Sequence, residues 1–427
     1  MSTFRESRRE RHRRLKQRRR RKWTAALASA AAALLVSAGI LLHAMDGARL
    51  DRGEQASAAP YGPPPATGKT GETGKTGETG EYGKGAPLPP VNVSGPGETP
   101  IDASDGPIRL VFAGDALMDW SVKETIRKKG PDYPFVHVAE EIQEADFAIV
   151  NLETAVTFHD QKDANQLFNF KSDPISLEGL KNAGFDLVSI ANNHTLDFKQ
   201  KGFLDTLANL EHYELPYMGG GKNREEAYRA HEVTIKGKRI KFLAFSRFIP
   251  QTYWFAADER PGIAEAYNKS SVLPVIRRES RDCDYLFVYM HWGVEKNNKP
   301  EPWQRTYARE MIDAGADGIV GSHVHVLQGF EWYNGKPIAY SIGNFLFPDY
   351  VKGKNADTGL LTLTIENGEI RMSFSPYQIY KDQIIKKDDA YVKRQLKYLE
   401  SISYGVAIGG DRAIEAIQAK PPAPGKR

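Results

Sequence analysis

Two histidines separated by one residue, His323 and His325, lie in the segment Gly321-Ser322-His323-Val324-His325-Val326-Leu327-Gln328. The apolar run Gly318-Ile319-Val320 before them reads as a buried strand. Side chains at i and i+2 share a face of an extended chain, and where a loop leaves a strand they can wrap around one point. Imidazole is a common transition-metal ligand, so the pair is a metal-site candidate. Alone it is equally compatible with ordinary surface or core histidines. The residues upstream strengthen the case: Asp115, Glu153, Asn193, His194 and His291 each fall near the end of a predicted strand. In open α/β sheets, ligands gather outside the carboxyl ends of strands. Two carboxylates, a carboxamide and several imidazoles form the ligand set for a pair of divalent ions, which a bridging carboxylate holds about 3.5–4 Å apart. Taken singly, each residue is more often a turn, a cap or a satisfied core group.

The elements that must position these residues are strands alternating with helices. Strands are predicted over 108–113, 146–150, 185–191, 285–290 and 318–320, with helices over 136–143, 177–182, 199–213, 272–279 and 302–314. A hairpin joins 231–235 to 239–245 through Lys236-Gly237-Lys238. Beyond the histidine pair the pattern turns antiparallel. Runs 329–333 and 337–342 flank Asn334-Gly335, and runs 360–365 and 369–374 flank Asn367-Gly368. The fold class is α/β, a sandwich with antiparallel additions. Residues 389–403 have helical character, and the end of the chain, from 421, reads as disordered.

The chain has 427 residues and a formal charge of +4 that hides an asymmetry. Residues 1–22 hold 12 Lys/Arg and 2 Asp/Glu; the remainder holds 46 and 52, a net of −6. Residues 23–45 carry no Asp, Glu, Lys or Arg, enough for one transmembrane helix. The basic run before them places the N-terminus in the cytoplasm and the main domain outside, at the cell membrane. A cleaved signal peptide is the rival, but the apolar run is long and ends in a poor cleavage site. Residues 46–105, with Pro63-Pro64-Pro65 and a glycine at every third position from Gly68 to Gly80, read as a flexible linker. The single cysteine, Cys283, excludes an intrachain disulfide and reads as a small buried hydrophobe. Next to a membrane span the basic head signals topology rather than nucleic-acid binding.

Six segments, taken in order, carry a resemblance. They are Phe112-Ala113-Gly114-Asp115, Val150-Asn151-Leu152-Glu153-Thr154, Ala191-Asn192-Asn193-His194-Thr195-Leu196-Asp197, His291-Trp292-Gly293-Val294-Glu295, the histidine-pair segment, and Tyr340-Ser341-Ile342-Gly343-Asn344-Phe345. From about 108 to 347 the chain resembles the CapA proteins of poly-γ-glutamate capsule synthesis, relatives of the calcineurin-like metallophosphoesterases. The resemblance implies a four-layer αββα sandwich of metallophosphoesterase type over 106–380, followed by an extension over 381–427. It implies one or two divalent ions, manganese, iron or zinc. Asp115 and His325 would hold one ion, Asn193, His291 and His323 the other, and Glu153 would bridge them. His194 would act as general acid or orienting donor, partnered by Asp197. Glu295 and Asn344 would face substrate, and Trp292 would pack.

One departure weakens the first ion's site: Leu117 stands where phosphoesterases carry a histidine, and Asp119 could substitute or could cap a helix. Two functions from different classes follow. One is a metal-dependent hydrolase or transferase acting on an anionic cell-surface polymer. The other is a non-catalytic polymer-binding subunit working with capsule-synthesis membrane partners. A generic phosphoesterase is the remaining enzyme reading. The net negative charge leaves polymer contacts to local cations, Lys171 and Arg247 being candidates, or to the metals. Tyr253-Trp254-Phe255 reads as a lid, a membrane or partner patch, or a plain packed loop.

Overall fold

The inward and outward alternation of one strand, Ile108–Ala116, lays out the layers of the protein. Ile108, Leu110 and Phe112 face one apolar core, and Val111 and Ala113 face another. The computed structural model describes residues 106–417. The basic head, the expected membrane span, the linker and residues 418–427 lie outside the described residues. Among the described residues, no helix is long and apolar enough to cross a membrane.

Setting aside the shortest pieces, the first half runs β1 (Ile108–Ala116), α1 (Trp120–Lys129), α2 (Ala139–Gln143), β2 (Phe147–Leu152), α3 (Ser176–Ala183), β3 (Leu187–Ser189), α4 (Lys199–His212) and β4 (Tyr217–Met218). Next come β5 (His231–Ile235), β6 (Lys238–Ser246), α5 (Lys269–Glu279), β7 (Tyr285–Trp292), α6 (Pro302–Asp313) and β8 (Gly318–His323). The chain ends with β9 (Phe330–Tyr333), β10 (Lys336–Ala339), β11 (Asn344–Leu346), β12 (Asp357–Glu366), β13 (Glu369–Tyr380), β14 (Gln383–Ile385), α7 (Asp389–Ser401), β15 (Val406–Ile408) and β16 (Ala413–Ala416).

Two mixed sheets result. The larger has the order β15-β16-β13-β12-β1-β2-β3-β4, with β11 beside β1 and β14 beside β13; the smaller has the order β9-β10-β8-β7-β6-β5. β1, β2, β3 and β4 are mutually parallel, as are β6, β7, β8 and β10. One apolar core fills the space between the sheets, with Phe112, Ile149 and Leu187 on one side and Phe242, Phe287 and Val320 on the other. A second core packs α1 to α4 on the outer face of the larger sheet through Ile126, Leu180, Phe203 and Leu207. A third packs α5 and α6 on the outer face of the smaller sheet through Val272, Ile276, Ala308 and Met311. The layers are helix, sheet, sheet, helix. This brings the carboxyl ends of β1 and β2 to the same edge as those of β7 and β8.

The Asn-Gly pairs turn as expected. Asn334 (φ 48°) with Gly335 (φ 71°), and Asn367 (φ 54°) with Gly368 (φ 83°), supply the two left-handed positions that a tight hairpin needs. Three expectations differ. The run 337–342 is not one strand: it leaves the smaller sheet after Ala339 and rejoins the larger at Asn344, turning at Gly343 with φ 70°. The expected helix over 136–143 is shortened to Ala139–Gln143, because a 3-10 turn at Tyr133–Phe135 takes up the chain before it. Residues 381–417 carry, besides α7, a strand pair that extends the larger sheet through β13, with Leu399, Val406 and Ile414 entering the inter-sheet core.

Candidate metal centre

The candidate ligands lie in the last residues of strands or just beyond them, in local structure that leaves them little freedom. Asp115 closes β1 just after a register irregularity at Gly114. A Cβ at Gly114 would lie 1.9 Å from the Gly343 carbonyl oxygen, so only glycine lets β1 and the β11 approach touch here. Glu153 is the first residue beyond β2, and His291 belongs to β7. His323 and His325 both have positive φ, 96° and 60°, a costly conformation for residues other than glycine. That backbone brings the two rings within 6.1 Å of each other.

The side chains converge in a buried cluster. His291 Nε2 lies 2.6 Å from Asn193 Oδ1, 3.1 Å from His323 Nδ1 and 3.4 Å from Glu153 Oε1. On the other side of Glu153, His325 Nδ1 lies 4.0 Å from Oε2 and 3.8 Å from Asp115 Oδ2. Two sets of donor atoms are therefore close enough to hold a cation, Glu153/His291/His323 and Asp115/Glu153/His325, and they share Glu153. Asp115, Glu153, His291 and His323 are fully buried. Neither carboxylate oxygen of Glu153, nor Nε2 of His323, has a hydrogen-bond partner. A buried carboxylate without a donor or counter-charge is strongly disfavoured, and a divalent cation is the group that would satisfy it. The donor set is compatible with a metal site on this ground.

The electrostatics agree. Burial, followed by the charge of Asp115, pushes the Glu153 carboxyl well above its ordinary range. Burial also raises Asp115, against the opposing effects of His325 and the Asn151 amide. Burial drives His291 and His323 well below the usual imidazole value, so both rings are neutral and available as ligands.

His194 is next to Asn193 at the rim. Its Nδ1 donates to Asp197 Oδ2 at 2.8 Å, and the same carboxylate accepts from the Phe170 amide at 2.7 Å and from Gln166 Nε2 at 3.2 Å. The ring meets Phe170 edge-on, with centroids 4.7 Å apart. Holding Nδ1 in this way directs Nε2 away from Asp197.

Residues 109–349 match the family described as bacterial capsule synthesis protein PGA_cap. The chain belongs to that family. This capsule-protein chain is 32% identical over 281 residues to the capsule biosynthesis protein CapA of Bacillus anthracis, covering 64% of this chain and 67% of that one. It is 32% identical over 301 residues to the PGA biosynthesis protein CapA of Bacillus subtilis strain 168, covering 69% and 78%. Among solved structures it is similar to the NAD nucleotidase of Haemophilus influenzae, at 11% identity and a TM-score of 0.39 over 70% of this chain and 64% of that one, a likeness too distant to carry weight.

The remaining candidates fall in different places in this capsule-family fold. Asn344 is buried, with Oδ1 2.9 Å from His325 Nδ1 and Nδ2 donating to the Asn355 carbonyl, so it orients His325. Glu295 is exposed, and its charge reaches Glu153 and Tyr350. Leu117 is buried beside Phe170 and Phe347, so the position where the resemblance expects a histidine is core. Asp119 precedes α1, but its side chain makes no cap; Oδ2 accepts from the Lys171 amide at 2.9 Å. Lys171 is itself paired with Asp160. Trp254 is fully buried and donates to Asp163 at 3.0 Å, with Tyr253 bonded to the same carboxylate, so this loop is anchored by its aromatics. Trp292 packs in the outer core of the smaller sheet. Cys283 is half-buried, and burial pushes its thiol up to about 11.

Two further residues build the site. Asn151 donates to Asp115 Oδ1 at 2.8 Å, and Asn192 donates to Asn151 Oδ1 at 3.1 Å and to the Leu152 carbonyl at 2.9 Å. A signal for Asn151 existed: it lies two residues before Glu153, so the two share one face of the strand.

Proposed function

We propose that this chain is a membrane-tethered, outward-facing protein of poly-γ-glutamate capsule synthesis, whose metal centre hydrolyses or transfers a bond of the anionic polymer. The uncharged stretch 23–45 behind a basic head supports the tether and its orientation. The helix–sheet–sheet–helix layering, with donors gathered at strand ends, supports a fold of metallophosphoesterase type. The name of the Bacillus subtilis relative, a PGA biosynthesis protein, supports the polymer, and that of the Bacillus anthracis relative supports the capsule.

The carrying observation is Glu153: buried, without a hydrogen-bond partner, and shared by two donor sets. In this reading Asp115, His325 and Glu153 would hold one divalent ion, and Glu153, Asn193, His291 and His323 would hold a second; manganese, iron and zinc would all suit such donors. Bound there, the ions supply Lewis acidity, lowering the pKa of water and shielding the oxygens of a displacement. His194 gives the leaving group its proton from Nε2, while Asp197 fixes the ring through Nδ1. Asn151, itself held by Asn192, keeps Asp115 in place.

The test pairs His194→Ala with His323→Ala in the full-length protein, measuring metal content and cleavage of γ-linked glutamate polymer. His323→Ala is expected to lose metal and activity together. His194→Ala is expected to keep its metal and lose about 10²–10⁴-fold in rate. Full activity in both variants refutes the catalytic reading. The packing of Leu117 favours a second reading, in which a single ion anchors polymer without cleaving it; metal-dependent polymer binding without turnover is its signature.

A further inference from the structure

A small aromatic-walled pocket with a few polar groups adjoins the candidate metal centre on the helix side of the smaller sheet. Its volume is about 170 Å³, and its walls are Arg247, Tyr267, Lys269, Trp303, Thr306 and Tyr307. The two sites share a boundary. The Arg247 amide donates to the His291 carbonyl at 2.8 Å, and the next residue, Phe248, stacks on the His323 ring with centroids 4.3 Å apart. Trp303 meets Trp292, the neighbour of His291, edge-on at 6.1 Å.

Two groups in this pocket have neither a side-chain hydrogen bond nor an ion pair among the described residues. The Arg247 guanidinium lies over the Trp303 ring, 3.8 Å from its centroid. Among the described residues no carboxylate is in ion-pair range of it. Stacking holds such a cation by its face and leaves its N–H edge for a planar anion. The Tyr307 hydroxyl is buried, the residue being 1% exposed, and has no hydrogen-bond partner. Burial raises its pKa, so it remains a hydroxyl and can donate.

The other charges nearby are already satisfied. Lys269 pairs with Glu310 at 2.8 Å. The Glu265 carboxylate accepts from the Tyr267 amide at 2.8 Å, the Asn268 amide at 3.1 Å and the Asn268 side chain at 3.2 Å. One unspent positive charge and one idle hydroxyl remain, the complement of a carboxylate.

We propose that Arg247 and Tyr307 form a carboxylate-binding subsite that grips a free carboxylate of the polymer beside the metal centre and sets the register of the chain across it. This rests on the polymer reading above. Poly-γ-glutamate, linked through its side-chain carboxyls, keeps one free α-carboxylate per residue. A strand of it lying over the metal centre would present its next carboxylate to the pocket. Arg247 and Tyr307 position the polymer and take no part in bond breaking.

The experiment is calorimetric titration of the full-length protein with a short γ-linked glutamate oligomer, and with the same oligomer methyl-esterified at its α-carboxylates. Arg247→Met, Arg247→Lys and Tyr307→Phe are compared with wild type, with metal content and thermal unfolding followed in parallel. Arg247→Met is expected to weaken binding of the free-acid oligomer by about ten- to a hundred-fold, and Tyr307→Phe by about three- to ten-fold. Arg247→Lys should fall between wild type and Arg247→Met, because it keeps the charge and loses the fork. Wild type should prefer the free acid, and Arg247→Met should lose that preference at unchanged metal content. If wild type binds the oligomer and Arg247→Met and Tyr307→Phe bind it as tightly, the subsite is overturned and the polymer reading stands. If wild type binds neither oligomer, both fall. Should Arg247→Met not fold, equal affinity of wild type for the acid and the ester overturns the subsite.

Discussion

His323 donates its main-chain N–H to Oδ2 of Asp115 at 3.0 Å. These residues close strands of different sheets, so the bond ties the two sheets together at the edge where the donors gather. The Tyr289 hydroxyl adds a second tie, donating to the Ala113 carbonyl at 2.9 Å. Asp115 is thus clamp and candidate ligand at once.

Asp115→Asn separates these roles. Oδ1 accepts from Asn151 and Oδ2 from His323, both of them donors. An amide has one oxygen and one NH₂, so it must set donor against donor on one side. Denaturant unfolding in chelator is expected to show a loss of about 1–3 kcal/mol.

Glu153→Gln should behave in the opposite way. Its carboxyl group is buried without a hydrogen bond, so in chelator the neutral amide relieves desolvation and costs no hydrogen bond. Metal-free Tm is expected to hold or rise, while the rise in Tm on adding manganese or zinc disappears. Differential scanning calorimetry with and without metal reads both effects.

Metal affinity should depend on pH in a defined direction. Burial lifts the Glu153 carboxyl well above its ordinary range, so in the metal-free protein it keeps its proton to a higher pH than an exposed glutamate. A cation must displace that proton, so affinity falls as pH drops through the raised value and levels off above it. Burial shifts His291 and His323 downward, so protons compete for these rings only at lower pH than for exposed imidazoles. Metal titrations at a series of pH values, with proton release followed in weak buffer, check this.

Gly321→Ala should injure the site without touching a donor. A Cβ there would lie 2.0 Å from the Tyr340 carbonyl oxygen and 2.5 Å from Trp292 Nε1, two atoms that bond each other at 3.0 Å. Backbone must shift at the end of β8, which carries His323. A stability loss of about 1–3 kcal/mol is expected together with weaker metal binding, read by thermal unfolding and elemental analysis.

Much of this site is written in single residues whose chemistry shows in one dimension. Asp115, Glu153, His291 and His323 stand out because charged and imidazole groups follow apolar runs, and the structure buries all four together. Asn334-Gly335 and Asn367-Gly368 were legible because their turn needs two left-handed residues. The break in 337–342 was not: apolar residues on both sides read as one strand, and only the competition of two sheets for them splits it at Gly343. Asn344 was legible as a site residue but not its role, since nothing local shows that His325 bends back to meet it. Arg247 looked like any surface cation until Trp303, 56 residues on, came to lie beneath it.

The measurement that bears most directly on the shared carboxylate is elemental analysis of the purified full-length protein, wild type beside Glu153→Gln, after equilibration with manganese or zinc. Tightly held metal is expected in wild type, and its loss in Glu153→Gln, because both donor sets include that residue. A wild-type protein that holds no metal, or a Glu153→Gln protein that holds as much as wild type, contradicts a metal site built on Glu153.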